Sequence, residues 1–253
     1  MVRLVGRLLA TLTLLLPLSS CYLAPGKFTS TLDIRKDRSF TFTYVGEVIA
    51  PPDSDFLSDK KADGDSGEDK PPQANGTSLL KIASPDDKAA DKLAKPETAA
   101  TRTKMEALAQ TLSKEYGFRS VRYLGNAHFT VDYAISSKLT HAFIFPFNVD
   151  GEIIIPFIAI ELRGADRVRM KAPGYAADED KAGGMSGLGS PTGKSPSSEL
   201  NGTFTLTTDA EIISQNQENG TTTLPDGRKR IVWTATPQTK DAPLASLKLD
   251  ALP

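Results

Sequence analysis

Residues 28–45, Phe-Thr-Ser-Thr-Leu-Asp-Ile-Arg-Lys-Asp-Arg-Ser-Phe-Thr-Phe-Thr-Tyr-Val, decide the fold class. Phe28, Ser30, Leu32 and Ile34 alternate with Thr29, Thr31, Asp33 and Arg35. That is the period of a strand with one buried face. After a turn at Lys36-Asp37-Arg38, Phe40, Phe42 and Tyr44 share one face, with Thr41, Thr43 and Val45 on the other. The pattern predicts an antiparallel hairpin with an aromatic inner face. Gly46 to Ala50 prolong it to Pro51-Pro52, where the missing backbone donors stop a ladder.

Downstream, Met105, Leu108, Ala109 and Leu112 recur at helical spacing, with Lys104, Glu106, Gln110 and Lys114 facing out. Thr101 or Thr103 can cap the start, and Gly117 stands where a left-handed terminating residue belongs. Strands follow at Phe118 to Leu124, His128 to Ile135, His141 to Phe147, Glu152 to Leu162 and Arg167 to Ala172, and Asn148-Val149-Asp150-Gly151 signals a hairpin. Shorter strands are expected at Thr203 to Leu206, Ile212-Ile213, Arg228 to Thr236 and Leu244 to Leu249. Short connections imply antiparallel pairing. The fold class is therefore α+β: a mostly antiparallel β-sheet of hairpins packed on one amphipathic helix, with two disordered insertions.

The first insertion is 51–100, with six Pro, nine Asp, seven Lys and one aromatic residue, Phe56. Such a composition buries too little apolar surface to offset its ordering entropy. The second is the Gly-rich stretch 173–199, a flexible linker by composition.

Upstream of the hairpin, Arg3 and Arg7 precede a nearly apolar run from Leu8 to Leu18. A basic start and a short apolar run ending in small residues read as a secretory signal. The run falls short of the roughly 20 apolar residues that span a bilayer. Leu18-Ser19-Ser20-Cys21 resembles the lipobox of bacterial lipoproteins. The resemblance implies a diacylglycerol on Cys21, cleavage before it and acylation, as with palmitate, of the new amine. It places the protein in the cell envelope, held to the membrane through Cys21 and facing the periplasm or exterior. Tyr22, where Asp would hold an enterobacterial lipoprotein at the inner membrane, favours the outer membrane of a two-membrane cell. Cys21 is the single cysteine, so no disulfide within the chain supports the core.

These readings divide the chain into a signal peptide (1–20), a lipid-anchored tether (21–27), the hairpin (28–50), the insertion (51–100), the helix and sheet of the same domain (101–172), the linker (173–199) and C-terminal strands (200–253). From Cys21 to Phe28 the tether is at most about 25 Å long, which keeps the domain beside lipid. Without residues 1–20 the net charge is −3, so no nucleic-acid footprint is present.

The C-terminal segment carries Gly202-Thr203-Phe204, Thr208-Asp209-Ala210, Asn219-Gly220, Gly227 and Ile231-Val232-Trp233. These, with a lipobox and a hairpin directly after the Cys, are similar to the LppM-type bacterial lipoproteins. The resemblance implies an envelope-associated α+β domain that contacts lipids or glycolipids.

Catalytic motifs do not assemble. His128 and His141 are the only histidines, and a lone strand histidine is ordinarily structural. One Cys and two His exclude a Cys/His metal set. Ser58-x-x-Lys61 and Ser78-x-x-Lys81 lack the partner motifs of penicillin-binding enzymes. Gly193-Lys194-Ser195 ends like a P-loop, but Leu188 occupies the first glycine position. The expected protein is not an enzyme and uses no cofactor.

Two features are candidates for lipid or head-group contact. One is the apolar pair Phe143-Ile144-Phe145-Pro146-Phe147 and Ile153 to Ile160, read either as core or as a lipid groove. The other is the cation row Arg167, Arg169 and Lys171, with Arg163 nearby. It reads as a site for anionic head groups or as the solvent face of an edge strand blunted by Lys and Arg. The function expected is a binding or structural role at the membrane face toward a lipid or glycolipid. The alternative is an envelope-protein scaffold acting through the 51–100 insertion or an edge strand.

Overall fold

A computed structural model describes residues 23–50, 97–146, 156–177 and 196–252. The signal segment with Leu18, Ser19, Ser20 and Cys21 lies outside the described residues, as do 51–96, Phe147 with the Asn148-to-Gly151 turn, and 178–195.

The 28–45 alternation forms β1 (Ala24–Ile34) and β2 (Ser39–Ile49). They pair antiparallel with Leu32 opposite Phe42 and Ser30 opposite Tyr44, and the inner residues of both are buried. At Gly46 a Cβ would lie 2.5 Å from the Phe28 Cα, so only glycine lets β2 pass the bulge in β1. Then come α1 (Ala99–Leu112), β3 (Phe118–Gly125), β4 (His128–Lys138), β5 (Phe143–Phe145), β6 (Ile158–Leu162) and β7 (Arg167–Lys171). The C-terminal part supplies β8 (Asn201–Thr208), β9 (Glu211–Gln215), β10 (Thr222–Thr223), β11 (Lys229–Ala235) and β12 (Leu244–Lys248).

The strands make two sheets rather than the single sheet expected. One has seven strands in the order β10-β11-β8-β1-β2-β4-β3, the other five in the order β5-β6-β7-β12-β9. Pairing is antiparallel except between β1 and β8, where Phe28 lies beside Gly202 and Leu32 beside Leu206. The second sheet exists because the apolar faces of β5 and β6 cover the aromatic face of the first hairpin. Phe143 packs on Phe40 and Phe42, and Phe145 on Phe42, Tyr44 and Tyr133. Each large apolar side chain removed from water contributes about 1.5–3 kcal/mol.

The helix covers what the second sheet leaves open. Met105 and Ala109 are buried, and Ser113 ties its end to β3 by accepting from the Val121 amide at 3.1 Å. It begins at Ala99, inside the stretch assigned to the insertion, and its cap is Thr98, whose Oγ1 accepts from the Thr101 amide. Thr101 and Thr103 instead lie within the helix, where the Thr103 hydroxyl donates to the Ala99 carbonyl.

Two more boundaries move. The tether is shorter than 21–27, because β1 starts at Ala24, opposite Ile49. The linker does not begin at 173: Pro173–Tyr175 is a one-turn 3-10 helix with Gly174 and Tyr175 buried. The Tyr175 ring stacks on Phe28 with centroids 4.3 Å apart, which draws this segment into the core. A second 3-10 turn, Pro196–Glu199, leads into β8.

Candidate functional site

One end of the larger sheet gathers the polar side chains of greatest interest. Strand pairing sets Ala24 beside Ile49, Ile49 beside His128 and Lys27 beside Asn201. The starts of β1, β4 and β8 and the end of β2 therefore lie together, and β11 ends there too, with Ala235 beside Gly202. An open cleft of about 560 Å³ sits at this end, lined by Lys27, Glu47, His128, Glu199, Asn201 and Gln238 among others.

His128 holds the cleft's geometry. Its Nε2 lies 3.1 Å from the Glu199 Oε2 and its Nδ1 2.8 Å from the Asn126 carbonyl oxygen. The Glu199 contact clasps the 3-10 turn before β8 onto the start of β4. Burial disfavours the imidazolium, but hydrogen bonds to Glu199 and Asn126 and the charges of Glu199 and Glu47 outweigh it and raise the His128 pKa. Both ring nitrogens thus face protein oxygens, which fixes the orientation of the imidazole in the cleft. His141 lies elsewhere, at the surface, with Nδ1 against the Thr140 hydroxyl. Among the described residues no group of three or more His, Cys, Asp or Glu could hold a metal ion.

The residues singled out in the sequence lie away from this cleft. Phe145 is buried and Phe143 half-buried, and both rings pack between the two sheets. The cation row is where the alternation placed it, on the outer face of the five-stranded sheet with Val168 and Met170 buried beneath. Its strand, however, is no edge: β7 lies in the middle of its sheet, between β6 and β12. Edge protection is therefore not the reason for its charge.

One end of the row lies far from the start of β1. The Leu249 amide donates to the Asp166 carbonyl at 2.7 Å, and Arg38, just past the end of β1, donates to the Ala165 carbonyl. Arg163 and Arg167 thus stand level with the far end of β1. Ten residue steps at about 3.3 Å put that end roughly 33 Å from Ala24.

The cleft itself was hidden from the sequence. Lys27, Glu47, His128, Glu199 and Gln238 are scattered over some two hundred positions, and only the pairing of β1 with β2 and β8 brings them together. The one local signal was the polar residue at each strand's end.

No protein-family model matches the chain, and no curated protein matches it in sequence. Among solved structures it is similar to the NMR structure of the folded domain of LppM from Mycobacterium tuberculosis. The identity is 11%, the match covers 91% of this chain and 92% of that one, and the TM-score is 0.29. A superposition this loose carries no argument about fold or ligand.

Proposed function

We propose that the protein is a non-enzymatic lipoprotein of the bacterial envelope, anchored through Cys21, whose β domain binds the polar head of a glycolipid at the membrane face. The observation that carries this reading is the position of the cleft at the end where the described chain begins. Ala24 is three steps beyond Cys21, at most about 11 Å of chain, so an acylated Cys21 holds that end of the domain at the bilayer surface. Two acyl chains make such an attachment effectively permanent, at about 0.8 kcal/mol per buried CH₂.

The lining suits a sugar head group better than an acyl chain. It offers the carboxylates of Glu47 and Glu199, the amides of Asn201 and Gln238, the hydroxyls of Ser198 and Thr236, and the cation Lys27. Sugar hydroxyls donate to the first set and accept from the amide and ammonium groups. The cleft is open and polar, unlike the enclosed apolar pockets that hold whole lipid chains.

Native mass spectrometry of the full-length protein in detergent, offered envelope glycolipids and plain phospholipids in turn, tests both halves. The wild type should carry a covalent acyl mass that Cys21→Ser lacks, and a glycolipid adduct that Lys27→Ala with Gln238→Ala abolishes. An unlipidated wild type removes the anchor. A lipidated protein with no adduct, where a control binder keeps its ligand, removes the glycolipid and moves the weight to a protein partner.

A further inference from the structure

The polar cleft does not stop at the end of the larger sheet. A second opening, of about 420 Å³, lies against the outer face of that sheet and is lined by Lys27, Thr29, Val45, Asn201, Thr203 and Thr234 among others. Lys27 and Asn201 line the first cleft as well, so the two run into one another as a single trough. Strand alternation builds its wall. Phe28, Phe204 and Trp233 turn into the core, which leaves Thr29, Thr203 and Thr234 on the outer face. Register sets them side by side: Val45 beside Thr29, Thr29 beside Thr203, and Thr203 beside Thr234. Neighbouring strands are about 4.8 Å apart, so the four make a row about 14 Å long across the sheet. That is longer than one sugar ring. The row lies two residues, about 6.7 Å, along the strands from Lys27 and Asn201.

The hydroxyls of this row are open to a ligand. Among the described residues those of Thr29, Thr203 and Thr234 make no hydrogen bond within the protein. Farther along the same face, the Thr31 and Thr43 hydroxyls lie 2.6 Å apart and satisfy each other, and Thr41 bonds to Ser136 at 2.8 Å. A hydroxyl both donates and accepts, which suits the hydroxyls of a sugar and not an acyl chain. Val45, exposed at one end of the row, offers an apolar patch to the C–H face of a ring. An extended peptide does not fit, because β8, β1 and β2 are interior strands and an added strand needs a free edge. Lys27 is the one charged side chain in this lining among the described residues, so a polyanion has little to hold it.

We propose that the threonine row is an extension subsite for a glycan. The head group is then an oligosaccharide, whose first sugar sits among Glu47, Glu199 and Gln238 and whose next sugars lie along Thr29, Thr203 and Thr234. This rests on the reading of the cleft as a glycolipid site and adds a requirement on length: a one-sugar head group ends before it reaches the row.

The test is native mass spectrometry of the full-length protein in detergent, offered monoglycosyl and triglycosyl diacylglycerol with the same acyl chains, in a glucose and a galactose series. The wild type should favour the three-sugar lipid by about tenfold in at least one series, as one or two added hydrogen bonds would give. Thr29→Val with Thr203→Val keeps the branched side chains and should erase that preference with an unaltered melting temperature. Thr234→Val alone should reduce it, and Thr207→Val, on the same face two rows away, should leave it in place. Equal binding of the two lipids by the wild type overturns the extension and leaves the cleft reading standing, as does a preference that survives in the double variant. Binding of neither lipid in either series overturns both.

Discussion

Arg38 is the residue on which one end of the molecule depends. It is almost wholly buried, at 3% exposure, in a left-handed conformation with φ 73°. Its guanidinium donates to the carbonyls of Asp250 at 2.8 Å, Leu139 at 2.9 Å and Ala165 at 2.6 Å, and so joins the first hairpin to three distant segments. Hydrogen bonds to a charged group contribute about 1.5–3 kcal/mol each, and orphaned buried acceptors cost more. Arg38→Ala should therefore lower stability by at least about 3 kcal/mol in urea melts, and Arg38→Lys, lacking the planar fork, should recover only part. The sequence marked Arg38 as a turn residue, because nothing local identifies carbonyls one hundred to two hundred positions away. At His128 the folded pKa is raised. The clasp on Glu199 is then fully present below the unfolded value of about 6.5 and is lost as pH rises through the higher folded value. Denaturation at about pH 5.5 and about pH 8.5 should show wild type losing stability relative to His128→Gln, which cannot titrate. Glu47 and Glu199 are the acids that face the ring, and a like trend in the variant would rule the clasp out.

Among the elements, those built on local alternation were legible. The period of two in 28–45 and the helical stripe from Met105 to Leu112 each arise within one element, and both have the buried faces that those periods require. What failed was the reading of punctuation. The alternation that marks the first strand begins only at Phe28, yet β1 already runs through Pro25 and Gly26, with a bulge before Phe28. The Gly-rich composition of 173–199 concealed Tyr175, whose ring lies against Phe28 and Phe204. A one-turn helix has no period to detect. Tyr175→Ala should cost about 3–5 kcal/mol, the range for deleting a buried aromatic ring, seen as a lowered thermal midpoint. A loss under 1 kcal/mol would return the segment to the linker. The place of β7 was equally invisible, since β12 joins it from some 75 residues downstream and turns an apparent edge into the middle of a sheet.

At the scale of the whole molecule, function follows from which end is anchored. β1 links the two ends: it begins three residues after Cys21 and finishes beside the Arg38 staple, roughly 33 Å away. If Cys21 is acylated, the cleft around His128 and Gln238 faces the lipid head groups, and the turn from Arg163 to Arg167 faces away. The polar cleft was not foreseen because it belongs to no single element; it is made by five strand ends and a 3-10 turn meeting where the described chain begins. The most direct test is paramagnetic relaxation by NMR on the full-length lipidated protein in nanodiscs containing a gadolinium-headgroup lipid. The account predicts strong broadening of the amides of His128, Asn201 and Gln238, with those of Arg38, Arg167 and Asp209 left sharp. Equal broadening at both ends, or a stronger effect at Arg167, would contradict it.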